Sequence, residues 1–171
     1  NSQGSVGAES KFKTLTQADL TDITDNLIQG SETDKSVAVE NLQDSKGWYL
    51  NLEEAGEKGL ASPLIFDGKV FFTTFIPPAQ TVNTDTCSMN EGKSRLYVLD
   101  LLNGGAGLNL DKKGEDSELT TSDRFLTLKS GLVSDLVAMF AESGQIILIG
   151  NDTGLPILSA EFGLYWLNLE P

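Results

Sequence analysis

Leu60-Ala-Ser-Pro-Leu-Ile-Phe-Asp-Gly-Lys-Val-Phe-Phe-Thr-Thr-Phe75 contains two apolar segments on either side of a two-residue turn. Asp67 and Gly68 form that turn, and both residue types tolerate the positive φ that a tight β-hairpin requires. The segment that follows, residues 69–75, is rich in β-branched and aromatic residues, which favour strands. The sequence therefore predicts an antiparallel hairpin here, and the hairpin indicates the fold class expected for the rest of the chain.

Short apolar segments bounded by turn-forming residues continue on both sides of the hairpin. A strand is predicted upstream at residues 47–52, and another downstream at residues 95–102, where Asn103 and Gly104 close it. Further strands are predicted at residues 124–128, 136–140, 145–149, 155–158 and 164–169. Helical patterns are almost absent after residue 47, so the sequence indicates an all-β fold.

The N-terminal part of the chain has a different pattern. Its opening residues are small and polar, which predicts a tail. Residues 15–26 are predicted to form a short helix with Thr16 and Asp19 as a capping pair, and residues 31–44, which contain few apolar side chains, are predicted to be a connector. The chain is divided accordingly into an N-terminal segment and a strand-rich region, residues 1–45 and 46–171.

The strand-rich region contains an internal repeat. Residues 59–72 and 131–148 both open with Gly-Leu-x-Ser and then continue as an apolar strand, a tight turn and a second apolar strand. A repeated hairpin-based unit is typical of β-propeller blades. The two copies lie farther apart than the roughly 40–50 residues of a typical blade, and the long polar segments at residues 76–94 and 107–123 account for the excess.

The strand-rich region has room for about three such blades, whereas a closed propeller needs at least about four. The strand edges of an unfinished ring would be exposed, which favours aggregation. We therefore expect these to be the closing blades of a larger ring, with the remaining blades in an upstream region or in another chain.

The net charge of -13 limits the classes of partner. A surface this acidic repels phosphate backbones and anionic lipid head groups, so neither nucleic-acid binding nor membrane insertion is expected. No apolar run in the sequence approaches the roughly 20 residues that span a bilayer. A neutral or basic protein partner, or a cation, fits the charge better.

The residue types present also limit the chemistry. The chain contains no histidine, which is the commonest general base and the commonest metal ligand. Cys87 is the single cysteine, so an internal disulfide and a cysteine-rich zinc site are excluded, and the thiol is buried, free or bonded to another chain. Ser62 and Ser134 have no histidine to activate them as nucleophiles.

A set of short motifs lies in a fixed order between residues 18 and 166. The segments are residues 18–24, 46–52 with Gly56-Glu57, 62–77, 86–88, 92–100 and 163–166. The residues that carry the motifs are Gly47, Trp48, Tyr49, Ser62, Pro63, Asp67, Gly68, Cys87, Tyr97, Asp100 and Trp166. In order and spacing these motifs resemble the C-terminal β-propeller domain of the PilY1/PilC family of type IV pilus tip-associated proteins.

The resemblance implies the closing blades of a quinoprotein-like β-propeller, preceded by a short N-terminal helical segment. It also implies a non-enzymatic, cell-surface component of the pilus tip, which reaches that place through the periplasm and the outer membrane. Such a component supports pilus assembly, opposes retraction, and contributes to adhesion or twitching motility. The partners that the resemblance implies are the remaining blades, minor pilins at the tip, and a host or surface ligand.

Members of the family carry a calcium loop with the spacing D-x-D-x-N, and the sequence lacks that loop. The acidic cluster at residues 111–118 contains two lysines and lacks alternating oxygen ligands. We therefore predict no metal or cofactor in this chain, and we expect any calcium site of the full protein in an upstream region.

Two alternatives stay open from the sequence. A fragment of a PQQ-dependent quinoprotein dehydrogenase would have the same fold, with a catalytic aspartate and calcium at its cofactor, and so would a propeller subunit of another secretion assembly. Asp100 lies in a predicted blade turn, where a structural role is expected, and Trp48 and Trp166 are expected to pack between blades. These features favour a protein that is not an enzyme.

Overall fold

The computed structural model describes residues 14–78, 92–110, 119–128, 131–133, 135–140, 146–149 and 157–158. Strands form most of the regular structure in these residues, and one α-helix accompanies them. The prediction of an all-β fold is therefore confirmed for this part of the chain. Several predicted features lie outside the described residues. They are the N-terminal tail, the acidic cluster, the strand predicted at residues 164–169, and the residues Cys87, Ser134 and Trp166.

Residues 15–26 do not form the predicted helix. A single 3-10 turn, Gln17–Asp19, precedes the two-residue strand β1, Thr21–Asp22, and a second 3-10 turn follows at Leu27–Gln29. The predicted capping pair is present, because the Thr16 N–H donates a hydrogen bond to Asp19 Oδ2 at 3.0 Å. One cap orders a single turn, and the threonine-rich sequence after it has too low a helix propensity to extend that turn.

The helix of the N-terminal segment lies instead where a connector was expected. Helix α1 spans Glu32–Asp44, and Ser31 and Asp34 cap it reciprocally: Asp34 N–H donates to Ser31 Oγ at 3.3 Å, and Ser31 N–H donates to Asp34 Oδ2 at 3.1 Å. Ala38 is its buried residue, so a hydrophobic pattern could not reveal this helix. After the helix, strand β2, Trp48–Tyr49, pairs in parallel with β1.

The main sheet is built on the predicted hairpin. Its strands are β3 Lys58–Gly59, β4 Leu64–Phe66, β5 Lys69–Ile76, β6 Lys93–Asp100 and β7 Phe125–Leu128. Both β3 and β4 pair with one edge of β5, β6 pairs with the other edge, and β7 pairs with the far edge of β6, all antiparallel. Asp67 and Gly68 adopt φ values of 47° and 67°, so the hairpin prediction is confirmed.

A second antiparallel sheet follows in the chain. Its strands are β8 Val137–Phe140, β9 Ile146–Ile149 and β10 Ile157–Leu158, paired in that order. Strands β8 and β9 come from the second copy of the internal repeat, as β4 and β5 come from the first. Consecutive antiparallel meanders are the units of β-propeller blades, but the described residues do not close a ring. The propeller and the domain division at residue 46 therefore stay predictions.

The core lies on both faces of the main sheet, and β6 supplies side chains to each face. Leu96 and Val98 belong to one face and Tyr97 and Leu99 to the other, all with relative exposures of 5% or less. The first face packs with Phe71, Leu110, Leu128, Val133 and Leu136. The second face packs with Ile23 and, at its margin, Leu42, Trp48, Leu50, Leu52, Phe72 and Phe125. The N-terminal segment and the second repeat thus shield opposite faces of one strand.

Shortening a core side chain of β6 tests this arrangement. Leu96→Ala is expected to lower the free energy of unfolding by about 2–5 kcal/mol, because a fully buried leucine loses its contacts and leaves a cavity. Leu102→Ala, at a leucine that is 82% exposed just after the strand, is expected to change it by less than about 0.5 kcal/mol. Urea denaturation followed by tryptophan fluorescence measures both variants, and equal losses would contradict the assignment of the core.

Candidate functional site

Trp48 anchors the N-terminal segment to the turn after β6. Its indole Nε1 donates a hydrogen bond to the Leu101 carbonyl at 2.9 Å. The ring lies against Gly104, where an added Cβ would come within 3.2 Å of Trp48 Cδ2 and would clash with Ile23. Gly104 also has a φ of 66°, so both the turn and the close packing require glycine. Trp48 is therefore a packing residue in this structure.

Gly47 and Tyr49, which flank Trp48, align the two short parallel strands through their backbone. The Gly47 carbonyl accepts a hydrogen bond from the Thr21 N–H at 2.9 Å, and the Tyr49 carbonyl accepts one from the Ile23 N–H at 3.0 Å. These bonds hold β1 beside β2 and place Ile23 over the main sheet. The Gly-Trp-Tyr motif thus fixes the position of the N-terminal segment.

Asp100 and Gly68 belong to two turns that contact each other at the end of β5 and β6. Asp100 Oδ1 accepts hydrogen bonds from the N–H groups of Leu102 at 2.9 Å and Asn103 at 3.0 Å. The aspartate thus satisfies two amides of its own turn. The Gly68 carbonyl accepts the Leu101 N–H at 2.8 Å, so the hairpin turn and the following turn are joined.

Ser62 connects the two copies of the internal repeat. It lies with Pro63 just before β4, and its backbone N–H donates to Asp135 Oδ1 at 3.2 Å. Asp135 is the residue that aligns with Pro63 in the second copy. The bond therefore ties the beginning of one repeat to the beginning of the next.

A buried polar cluster surrounds Glu57, in the turn before β3. The side chain of Glu57 is fully buried. Its Oε1 accepts hydrogen bonds from Thr74 Oγ1 at 2.5 Å and from the Tyr97 hydroxyl at 3.1 Å, and its Oε2 accepts one from Arg95 Nη1 at 3.1 Å. We call these four residues the Glu57 cluster.

Strand register brings the Glu57 cluster together. Thr74 and Arg95 are opposite each other on β5 and β6, and Tyr97, two residues beyond Arg95, lies on the same face. Phe72 and Phe125 are the partners of Tyr97 on the two flanking strands. The Tyr97 ring stacks 4.8 Å from that of Phe72 and lies 5.3 Å from that of Phe125, over which the Arg95 guanidinium sits at 4.3 Å.

Arg95 links the buried carboxylate to an exposed one. Its Nη2 lies 2.8 Å from Glu54 Oε1, whose side chain is 50% exposed, and its Nη1 lies 3.1 Å from Glu57 Oε2. Burial raises the pKa of Tyr97 above its ordinary value, so the hydroxyl keeps the proton that it donates to Glu57. The cluster therefore supplies three hydrogen-bond donors to its buried carboxylate, and both carboxylate oxygens accept.

A second buried arginine holds the N-terminal segment from the side of β7. Arg124, just before that strand, donates to the carbonyls of Ile23 at 2.7 Å, Thr24 at 2.9 Å and Gly104 at 3.1 Å. Burial lowers the pKa of Arg124, and these three carbonyl oxygens replace part of its lost hydration. Arg124 thus fastens residues 23 and 24 to the main sheet.

These arrangements are suited to holding the fold together rather than to reacting with a ligand, because both oxygens of Glu57 already accept from protein donors. Within the described ranges, no group of three or more Asp, Glu, Cys or His side chains could hold a metal ion. In the same residues, no helix combines the length and apolar character that crossing a membrane requires.

The sequence pointed to one member of the Glu57 cluster, Tyr97, and missed the others. Two signals were available. The first is Gly56-Glu57, which was part of a family-like motif and places a carboxylate directly before a strand. The second is Arg95, which lies two residues before Tyr97 and hence on the same face of an otherwise apolar strand. A charged side chain such as Arg95 on an apolar strand is rarely buried without a partner, so it indicates that a carboxylate lies nearby.

Part of the chain is similar to a protein named type IV pilus biogenesis factor PilY1 homolog, from Xylella fastidiosa (strain Temecula1 / ATCC 700964), with 39% identity over 85 residues. The similarity covers 45% of this chain and 5% of that protein, so the chain spans a small fraction of the relative's length. No family model matches the sequence, and no solved structure matches the chain. The similarity supports a relation to PilY1 proteins, without identifying a C-terminal propeller domain.

The two glutamates that pair with Arg95 provide a matched test of the Glu57 cluster. Glu57→Ala is expected to lower the free energy of unfolding by about 3–5 kcal/mol, because it leaves the mostly buried Arg95 without its buried partner. Glu54→Ala removes a half-exposed partner of the same arginine and is expected to cost less than about 1 kcal/mol. Chemical denaturation distinguishes them, and a larger loss at Glu54 would refute the cluster's structural role.

The raised pKa of Tyr97 predicts a loss of stability at alkaline pH. The hydroxyl of an unfolded chain ionises near about pH 10, whereas the folded protein keeps its proton to higher pH. Above about pH 10 the folded state therefore binds more protons than the unfolded state, and the free energy of unfolding falls as pH rises; below it the stabilisation is fully present.

Tyr97→Phe is expected to flatten this alkaline decline. At neutral pH it should lower the free energy of unfolding by about 0.5–1.5 kcal/mol, because the hydrogen bond to Glu57 is lost. Denaturation curves of the wild type and the variant, recorded at several values between neutral pH and about pH 11, measure both effects. Parallel declines in the two proteins would show that Tyr97 is not the group responsible.

Proposed function

We propose that this chain is part of a non-enzymatic type IV pilus biogenesis factor at the bacterial cell surface. In this role it supports pilus assembly at the tip, opposes retraction, and contributes to adhesion or twitching motility. The observation that carries the proposal is the 39% identity over 85 residues with the PilY1 homolog of Xylella fastidiosa. The ordered motifs between residues 18 and 166, which resemble the same family, support it.

The proposed fold is the closing part of a quinoprotein-like β-propeller. The meander β3–β7 and the meander β8–β10 follow each other in the chain, and each begins with one copy of the repeat. The Ser62–Asp135 hydrogen bond joins the two copies, and Val133, Leu136 and Ala138 pack on the first sheet. This packing supports a blade-on-blade arrangement, with the remaining blades elsewhere in the same protein or in companion chains.

The proposed partners are minor pilins at the pilus tip, together with a host or surface ligand. The net charge of -13 favours association with neutral or basic protein surfaces. Nucleic acid and membrane insertion are not part of the proposed role, and we propose no cofactor for this chain. Any calcium of the full protein belongs, on this view, to its upstream region.

The polar groups of the described residues support a role without catalysis. The Glu57 cluster uses its carboxylate for three protein donors. Asp100, the aspartate considered for the quinoprotein alternative, uses Oδ1 for two amides of its own turn. Both carboxylates therefore have structural roles, because they accept hydrogen bonds that hold the fold.

Deleting the gene in the organism of origin tests the proposed function. The deletion strain is expected to carry few surface pili and to lose twitching, as counted by electron microscopy and by the width of the twitching zone. The full-length gene with Glu54→Ala should restore both readouts, whereas Glu57→Ala should restore them poorly, because the folded state is depleted by the loss of a buried ion pair.

Two outcomes would contradict the proposal. One is normal piliation and twitching in the deletion strain, together with failure of the purified full-length protein to capture minor pilins. The other is a bound quinone, seen by its absorbance, together with dye-linked alcohol oxidation by the purified protein, which would favour the dehydrogenase alternative.

A further inference from the structure

Asn26 is a buried asparagine whose side chain has no hydrogen-bond partner among the described residues. The relative exposure of the residue is 7%. Both its Oδ1 and its Nδ2 are buried without a hydrogen-bond partner in the part of the chain that the structure describes. The backbone is left-handed, with φ 50° and ψ 49°, and its N–H donates to the Ile23 carbonyl at 3.1 Å. Asparagine tolerates this conformation better than most residues. The local fold thus holds an amide where bulk water does not reach it, which is costly unless something bonds to it.

The Asn26 side chain lines a small cavity between the N-terminal segment and the main sheet. The cavity has a volume of about 20 Å³, and its walls come from residues 21–23 and 26–28, helix α1, and the turn at Asn103 and Gly104. We call it the Asn26 cavity. One water molecule needs roughly 10–15 Å³, whereas sites for organic ligands measure hundreds of cubic ångströms. The volume therefore selects an occupant of the size of a single water.

The polar groups of the cavity wall favour a neutral occupant that both donates and accepts hydrogen bonds. The amide of Asn26 offers one acceptor and two donor hydrogens, which water can satisfy. A cation would need several oxygen ligands, but the Asp22 carboxylate already accepts from Thr24 at 2.9 Å and from Asn51 at 3.2 Å. Asn103 Oδ1 accepts from the Gly105 N–H at 2.8 Å.

We propose that the Asn26 cavity is a binding site for one structural water molecule, which supplies the hydrogen bonds of the Asn26 amide. The water lies where the N-terminal segment, including α1, meets the turn after β6. Its hydrogen bonds therefore help to hold that segment against the turn. This site is independent of the proposed function, because it follows from packing and hydrogen bonding within the chain.

Water–amide cross-relaxation in the isotope-labelled protein tests the proposal directly. The side-chain NH2 of Asn26 is expected to show a cross-peak with water of the sign that marks a residence time longer than molecular tumbling. Asn51, whose side chain amide lies on an exposed residue, is the internal control and should show only short-lived hydration. Absence of the long-lived signal at Asn26 would overturn the proposal.

A pair of leucine variants supplies a second, thermodynamic test. Asn26→Leu keeps a similar side-chain size and removes both polar atoms. Asp67→Leu places leucine at the other non-glycine residue with positive φ in the described residues, φ 47°, where the side chain is 42% exposed. It also removes the partly exposed ion pair with Lys69, which is worth less than about 1 kcal/mol. With a bound water, Asn26→Leu should raise the unfolding constant about tenfold more than Asp67→Leu does.

The opposite order of the two variants would show a dry cavity and would sink the proposal, because leucine would then relieve an unsatisfied amide. A cation is distinguished by salt identity. If wild-type stability rises in sodium chloride relative to tetramethylammonium chloride at equal ionic strength, and Asn26→Leu abolishes that rise, then an ion occupies the site and the water proposal is wrong. Equal stability in the two salts supports water.

Discussion

The structure depends on one strand that is buried on both faces. Leu96, Val98 and Leu99 of β6 have no exposed surface, and the two faces of the strand belong to different cores. A strand with apolar side chains on both faces needs a cover on each side. The N-terminal segment covers one face and the second repeat covers the other, so parts of the chain with unlike sequence character are folded as one unit.

Two arginines carry charge into this apolar setting and are compensated differently. Arg95 is balanced by carboxylates and stacks on Phe125, whereas Arg124 is bonded to three backbone carbonyls. Carbonyl dipoles solvate a guanidinium less well than water does. Burial therefore disfavours the charged form of Arg124 and lowers its pKa. In both cases the planar group joins segments distant in sequence, a task for which its several fixed donors are suited.

The elements that local sequence determines were predictable. The hairpin at Asp67-Gly68 and the strand near residues 95–102 follow from turn chemistry and apolar runs, and Asp100 acts on the amides of its own turn. Helix α1 was missed because its capping box, rather than an apolar stripe, defines it. The Glu57 cluster was missed because residues 57, 74 and 95 meet only through strand register, which one sequence does not reveal.

The pairing of the strands also sets how the protein bears tension. Strands β5 and β6 are matched over eight residue pairs, from Lys69 opposite Asp100 to Ile76 opposite Lys93, whereas β1 and β2 share two. A pull along β5 and β6 loads many hydrogen bonds at once, in shear. A pull on the N-terminal segment loads the two β1–β2 pairs and the hydrogen bonds that Arg124 makes to residues 23 and 24, which are fewer bonds than the β5–β6 ladder holds. We therefore expect that segment to detach before the sheet separates. The N-terminal segment would then yield to force before the main sheet does, and the chain would lengthen without loss of the sheet.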